Sequence, residues 1–189
     1  MSDPCDFYTL VFSKSSLYMN EKLETSVAKL VNDAFREIPN FENAPRFEKD
    51  SDVSKELGED GIISIAFDPV PDAGRDLPVA CLSAIKYNPP SIEGEEGDPS
   101  TPHYRLSAVA TLSSPNNNKY RKKGLTPLCL TALLAALPQN SKIWLETAEA
   151  ANGPYWRKNG FETVKSEMRP GGFWGAEREF EWVVMKMVR

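Results

Sequence analysis

The sequence predicts a mixed α/β (α+β) fold, built around one sheet that contains both parallel and antiparallel strands. Segments rich in β-forming residues alternate with helical segments in the order β-α-α-β-β-β-α-β-α-β-β. One long apolar helix separates two strands, and such a strand–helix–strand unit is a right-handed crossover that makes its strands parallel. Neither a repeat nor a linker interrupts the 189 residues, so we expect a single domain over 1–189.

Each element follows from its own hydrophobic pattern and from the residues that stop it. The first helix opens at Ser16 or Asn20 and stops before Pro39, and the next one ends at Gly58. The expected strands are 7–12, 62–67, 79–87, 104–112, 142–147, 161–168 and 180–187. The expected helices run from 16 or 20 to before Pro39, over 51–57, from Pro127 to Pro138 and over 151–159. The strands at 104–112 and 142–147 form the central parallel pair.

The start of the long helix is the most informative stretch for function. Residues 119–123 carry four cations and are followed by Gly124; Thr126 can cap the helix, and Pro127 suits its first position. The free N–H groups and the dipole of a first helical turn favour phosphate, and nearby cations add attraction. The sequence therefore predicts an anion site here, the alternative being a solvated basic turn before a core helix.

Composition excludes several classes of function. The net charge of −5 argues against a general nucleic-acid binder, although Tyr120 and the cations at 119–123 leave that alternative open. Cys5, Cys81 and Cys129 are odd in number and widely spaced, and His103 is the one histidine, so we expect neither disulfides nor a metal site. With no long apolar run and no signal-peptide pattern, we expect no membrane association and a cytoplasmic location.

Two local motifs resemble those of the GNAT superfamily of acyl-CoA N-acyltransferases. Arg121–Thr126 is similar to the (Gln/Arg)-x-x-Gly-x-(Gly/Ala) loop, and Trp156–Phe161 is similar to the Tyr-x-x-x-Gly-Phe segment. Their order, with a strand before the first motif and one strand between the two, matches the family, and the resemblance covers the whole chain in element order.

The resemblance implies how acetyl-CoA would bind. Backbone N–H groups of the loop would hold its pyrophosphate, and its pantetheine arm would lie between the parallel strands, which splay apart in the family. The implied cofactor-binding residues are Leu112, Ser113, Ser114, Arg121, Lys122, Lys123, Gly124, Leu125, Thr126, Asn152 and Trp156.

Several positions depart from the family pattern. Thr126 stands where Gly or Ala is usual, and Pro127 removes one backbone donor. Glu149 occupies the position of the usual Asn. Asn152 either takes over that polar contact to pantetheine or caps the short helix.

The candidate catalytic residues are Glu146 and Tyr155. Glu146, at the end of a central strand, is the candidate general base, the alternative being a structural strand-end carboxylate. The usual tyrosine acid is replaced by Trp156, whose indole N–H donates a hydrogen bond but does not titrate. Tyr155 could replace it if Gly153 and Pro154 shift the helix phase; otherwise Trp156 packs under the pantetheine and Tyr155 lines the amine pocket.

The expected activity is an acetyl-CoA-dependent N-acetyltransferase that acts on a primary amine of a small molecule or a peptide and needs no metal. The alternative is a catalytically inactive CoA-binding module, favoured by the missing tyrosine. Tyr104, Phe173 and Trp174 could line the acceptor pocket, the alternative for the two loop aromatics being that they cover the core. The acids of the 93–98 loop could attract a cationic amine. The sequence specifies neither the acceptor nor an oligomeric state.

Overall fold

A computed structural model describes residues 7–41, 45–69, 76–89, 101–112 and 119–187. All seven predicted strands form, each within two residues of its expected bounds. The strands are β1 (Tyr8–Ser13), β2 (Ile62–Asp68), β3 (Leu77–Lys86), β4 (His103–Thr111), β5 (Lys142–Ala148), β6 (Phe161–Arg169) and β7 (Phe180–Met187). The helices are α1 (Lys14–Tyr18), α2 (Glu21–Phe35), α3 (Asp52–Leu57), α4 (Leu125–Ala136) and α5 (Glu149–Lys158).

The strands form one seven-stranded sheet in the order β1-β2-β3-β4-β5-β7-β6. Every neighbouring pair is antiparallel except β4 and β5, which are parallel and joined through α4. The mixed α/β architecture and the central parallel crossover that the sequence predicts are confirmed.

The parallel pair separates soon after it begins. Only the first three residues of β4, His103–Arg105, pair with β5, against Lys142–Trp144. A bulge helps to bend β4 away: Cys81 pairs with Ala110 and Ser83 with Ser107, so β4 carries one extra residue opposite β3. Ala108 in this bulge has a φ of +46°. The splayed strand pair expected from the resemblance is therefore present, and it leaves a gap between the later parts of β4 and β5.

Helices cover both faces of the sheet. On one face α4 and α5 pack over a cluster that includes Leu133, Leu145, Trp156 and Met185. On the other face α1, α2 and α3 cover Ile63 and its neighbours, and the chain between β6 and β7 covers Trp144 and Trp182. Since successive residues of β5 point to opposite faces, Leu145 lies on the α4 side and Glu146 on the α2 side.

The region after β1 contains one more helix than expected. Ser13 caps α1 by accepting a hydrogen bond from the Ser16 N–H, and Asn20 then caps α2 by accepting one from the Leu23 N–H at 3.2 Å. The two candidate starts in the sequence therefore belong to a short helix and to the long helix that follows it. In the part of the chain that the structure describes, no helix is both long and apolar enough to cross a membrane.

Helix α4 begins two residues earlier than predicted, so the assignment of Thr126 as its cap is wrong. The N-cap is Gly124, whose φ of +74° turns the chain into the helix, and no side chain caps this end. The first intrahelical hydrogen bond runs from the Leu128 N–H to the Gly124 carbonyl at 3.0 Å. Pro127 still falls in the first turn, where its missing N–H costs no helical hydrogen bond.

Helix α5 follows β5 without a loop, which corrects two further expectations. It begins at Glu149 after Ala148, so Asn152 lies inside the helix, is exposed and caps nothing. Pro154 is also inside the helix, and it does not restart the helical phase. Tyr155 and Trp156 consequently belong to one continuous helix and point about 100° apart.

Candidate active site

The basic segment before α4 folds into a compact turn. Lys122 has a φ of +58° and Gly124 one of +74°, so two of three successive residues lie in the left-handed region. Turns of this kind bring neighbouring backbone N–H groups to one concave surface that suits an anion. An added Cβ at Gly124 would meet no atom within 4 Å, so backbone conformation rather than space selects glycine here.

A cleft of about 430 Å³ opens beside this turn and extends to α5. All six loop residues predicted from the first motif, 121–126, line it, and so does Tyr155. Five further residues complete the lining: Thr111, Tyr120, Pro127, Lys158 and Asn159. Thr111 is the last residue of β4 and Asn159 belongs to the second motif, so the strand end and that motif were the signals that could have identified them.

Tyr155 faces the cleft with 39% of its surface exposed. Its ring lies beside the first turn of α4, and Thr126 there is 3.4 Å, oxygen to oxygen, from Thr111 at the end of β4. Burial raises the pKa of Tyr155, and hydrogen bonding with Thr126 and Asn159 offsets part of that increase. The hydroxyl therefore remains protonated at neutral pH, as a proton donor requires.

Trp156 points away from the cleft. Only 4% of its surface is exposed, and its ring packs edge-on against Phe161 at 5.3 Å. Tyr155 meets it from the other side at 5.2 Å. Tyr155 therefore reaches the cleft without the shift in helical phase that we expected it to need, because in the unshifted helix Trp156 packs into the core and Tyr155 faces outwards.

Glu146 lies where β4 and β5 have separated, on the α2 face of the sheet. Its Oε1 accepts a hydrogen bond from the Tyr87 hydroxyl at 2.6 Å, and an Arg105 guanidinium nitrogen lies 3.4 Å from the same oxygen. Arg105 also stacks over the Tyr87 ring at 5.3 Å. Both contacts use Oε1, and among the described residues no hydrogen bond reaches Oε2.

Tyr87 is fixed in this cluster by its surroundings. Burial raises the pKa of Tyr87 well above its usual range, and the hydrogen bond to the Glu146 carboxylate raises it further. Tyr87 therefore acts as a hydrogen-bond donor at any physiological pH. Sequence patterns could not indicate its contact with Glu146, because 59 positions separate the two residues.

The two predicted catalytic residues lie on opposite faces of the sheet. Tyr155 is on the α4 and α5 side, Glu146 is on the α2 side, and the gap between β4 and β5 separates them. A reaction centre located in that gap would have a proton donor on one side and a proton acceptor on the other.

The cations of the turn divide into two groups. Lys119 is ion-paired with Asp68 and Arg121 with Glu37, so both are held by carboxylates of other elements. Lys122 and Lys123 line the cleft, are exposed and have no ion pair among the described residues. These two lysines are therefore the ones available to an anion.

The remaining predicted residues lie outside the cleft or outside the described part of the chain. Leu112 packs between the clusters on the two faces and donates its N–H to the Val79 carbonyl at 2.7 Å. Ser113 and Ser114 fall outside the described residues, as do the acids of the 93–98 loop. Asn152 and Glu149 do not line the cleft, and Glu149 instead forms two hydrogen bonds with Arg157 at 2.8 and 2.6 Å.

The aromatic loop predicted to line an acceptor pocket is fixed to the chain after α2. Phe41 forms a backbone bridge with Ala176, and the Glu177 N–H donates to the Asn40 carbonyl at 2.8 Å. Phe173 stacks on Trp174, which is half-exposed and has a φ of +55°. The loop thus covers the α2 face beside β5 and β7, next to the cluster that contains Tyr87.

Across the described ranges, no group of His, Cys, Asp and Glu side chains could hold a metal ion.

The sequence matches no protein-family model and no curated protein, but the fold matches solved acetyltransferase structures. A putative acetyltransferase from Acinetobacter baylyi ADP1 aligns over 100% of this chain and 95% of its own, with a TM-score of 0.69 and 13% identity. Arabidopsis thaliana NAA60 in complex with a bisubstrate analogue aligns over 96% and 98%, with a TM-score of 0.61 and 15% identity.

YncA from Salmonella typhimurium, a putative acetyltransferase solved with its cofactor acetyl-CoA, aligns over 96% of this chain and 92% of its own, with a TM-score of 0.60 and 12% identity. The near-complete coverage on both sides shows that the similarity extends over nearly the whole of each chain. The chain therefore has the fold of the GNAT superfamily of acyl-CoA N-acyltransferases.

Proposed function

We propose that this protein transfers an acetyl group from acetyl-CoA to a primary amine of a small molecule or a peptide. The observation that carries the proposal is the cleft itself. It joins a glycine-containing basic turn at a helix start to a cleft-facing tyrosine, beside Thr111 at the end of β4, where that strand no longer pairs with β5.

The turn residues 121–126 would bind the pyrophosphate of acetyl-CoA through backbone N–H groups. Lys122 and Lys123 would add charge, since neither is ion-paired among the described residues. Leu112, Ser113 and Ser114 follow the end of β4 and would border the extended arm there. Trp156 would act from the core by supporting the helix that carries Tyr155. Asn152 is exposed and does not line the cleft, so it would contact acetyl-CoA only outside the cleft.

Acetyl-CoA supplies the acetyl group as a thioester. Glu146 would take a proton from the attacking amine through its Oε2, directly or through a water molecule. Tyr155 would give its hydroxyl proton to the departing sulfur, which fits its position in the cleft. Tyr87 and Arg105 would hold the Glu146 carboxylate in one orientation.

Two measurements test the proposal in sequence. Calorimetric titration with acetyl-CoA tests cofactor binding, and a panel of amines, polyamines, aminosugars and peptides assayed for free CoA release tests transfer. Binding together with amine-dependent CoA release is expected. Binding without release for any amine would instead support a catalytically inactive CoA-binding module. Absence of binding would refute both.

The role of the turn has its own test. Charge reversal at Lys122 and Lys123 together, or Gly124→Pro, is expected to weaken acetyl-CoA binding while circular dichroism shows that the fold persists. Proline cannot adopt the φ of +74° found at Gly124, so that variant alters the turn itself. Unchanged affinity in either folded variant would remove the turn from the binding site.

A cytoplasmic location is also proposed, because Cys81 and Cys129 are free thiols in the folded protein.

A further inference from the structure

Asp68 is a buried carboxylate at the end of β2 whose partners both belong to the cofactor turn. Only 4% of its surface is exposed. Its Oδ2 accepts hydrogen bonds from the Lys119 ammonium at 2.6 Å and from the Tyr120 hydroxyl at 2.8 Å. These partners are adjacent in sequence and lie more than 50 positions from Asp68. One carboxylate thus ties the beginning of the turn to the sheet.

The charge on Asp68 is maintained by these contacts. Burial acts to raise the pKa of Asp68, but hydrogen bonds from Lys119 and Tyr120 outweigh it and leave the pKa below its usual value. A buried carboxylate without such partners would be strongly destabilising. With the turn in its observed position, the buried charge of Asp68 is therefore stable only because Lys119 and Tyr120 donate hydrogen bonds to it.

The anchored residues lie directly before the residues that define the turn. Tyr120 lines the cleft, packs edge-on against Phe7 at 6.1 Å and has the Lys119 ammonium 4.9 Å above its ring. Arg121, the first residue of the predicted cofactor motif, follows at once. Fixing residues 119 and 120 therefore fixes where the turn starts relative to β2 and β4.

From this geometry we infer that Asp68 is a positioning residue that preorganises the cofactor-binding turn, and that Lys119 serves this anchor rather than the ligand. The inference rests on the proposed binding of acetyl-CoA at the turn. A turn already fixed in its binding geometry loses less conformational entropy on binding, so the anchor increases affinity without touching the ligand. The inference predicts that loss of the anchor raises the Kd and the KM for acetyl-CoA and leaves kcat at saturating acetyl-CoA unchanged.

The test compares two equally buried carboxylates. Asp68→Asn keeps the size of the side chain and removes the charge that holds both partners, and we expect the Kd for acetyl-CoA to rise about tenfold. The matched control is Glu24→Gln: Glu24 is also 4% exposed and accepts the Ser54 N–H at 3.0 Å, away from the cleft. It should lower stability but leave the Kd unchanged. Equal weakening by both variants, or an unchanged Kd in folded Asp68→Asn, would overturn the inference.

A second measurement needs no cofactor. Backbone order parameters of residues 119–124 in the free protein, measured by NMR relaxation, should fall in Asp68→Asn and stay at wild-type values in Glu24→Gln. If the wild-type protein fails to bind acetyl-CoA, the proposed function falls, and the order parameters alone still report on the anchor. Unchanged order parameters at the turn in Asp68→Asn would show that Asp68 does not hold it.

Discussion

Two clusters of similar composition lie in different parts of the sheet, one at the end of β2 and the other beside the gap between β4 and β5. In each cluster, a carboxylate oxygen accepts a hydrogen bond from a tyrosine hydroxyl. A cation lies close to the same oxygen and also lies over the ring of that tyrosine. Asp68 has Tyr120 and Lys119, whereas Glu146 has Tyr87 and Arg105. The cation-to-ring distances are also similar, 4.9 Å for Lys119 and 5.3 Å for Arg105.

The clusters differ in which partner is fixed by the fold. Tyr120 and Lys119 belong to a turn, so the strand-borne Asp68 holds them. Tyr87 and Arg105 come from the end of β3 and from β4, so two strands hold Glu146. The same chemistry therefore positions a loop in one place and a carboxylate in the other. We expect disruption of the first cluster to change affinity and disruption of the second to change rate.

The largest expected effect comes from removing the Glu146 charge. Glu146→Gln retains the shape of the side chain but cannot accept a proton, so we predict a loss of about 10²-fold in kcat/KM. Calorimetry should show acetyl-CoA affinity near that of the wild-type protein. Wild-type rates at every pH would show that the carboxylate only orders Tyr87 and Arg105.

The next largest effect should come from Tyr155, which belongs to neither cluster. Tyr155→Phe keeps the ring and deletes the hydroxyl, and we predict a loss of about tenfold or more in kcat with acetyl-CoA affinity retained. The comparison variant is Trp156→Phe. Full activity in Tyr155→Phe, together with activity lost in Trp156→Phe, would move the role to the indole and make a tyrosine acid inapplicable here.

A matched pair of smaller changes separates the two clusters directly. Tyr87→Phe and Tyr120→Phe each delete one hydroxyl that donates to a carboxylate, and loss of one such bond changes an equilibrium or rate about threefold to tenfold. We expect Tyr87→Phe to lower kcat and Tyr120→Phe to raise the KM for acetyl-CoA. Steady-state kinetics with both substrates varied measures each parameter. Identical kinetic changes in both variants would contradict the division of roles.

The sequence predicted those features that repeat locally. Alternating β-forming residues located all seven strands, and the single long helix between 104–112 and 142–147 identified the parallel pair. The two motifs located residues 121–126 and Tyr155, which the folded chain brings to one cleft. Helix α5 was placed two residues late because β5 runs into it without a turn, so no loop residues marked the boundary.

The clusters themselves could not be predicted, because they join residues with no common local pattern. Asp68 ends one strand and follows five buried residues, which in the sequence marks only a strand terminus. Its pairing with Lys119 depends on how far the turn folds back over β2. That distance is set by tertiary packing, including the contact of Phe7 with Tyr120. The bulge at Ala108, which helps to open the gap, likewise lacks a glycine to signal it.

The smallest expected effect is on stability and its dependence on pH. The pKa of Asp68 is lower in the folded protein than its usual value of about 3.9 in an unfolded chain. A carboxyl group with a depressed folded pKa contributes stability above the unfolded pKa and loses that contribution as the pH falls through the folded pKa. Asp68→Asn should therefore be destabilised relative to the wild-type protein at pH 7, by about 1–3 kcal/mol for a broken buried charged hydrogen bond. The difference should shrink below about pH 4. Denaturant unfolding at several pH values measures this difference in stability.

Asp33→Asn is the control, because Asp33 forms ion pairs with Lys29 and Arg36 at the surface. This variant should change stability by less than about 1 kcal/mol. A difference for Asp68→Asn that stayed constant down to pH 3 would show that its charge does not hold the turn.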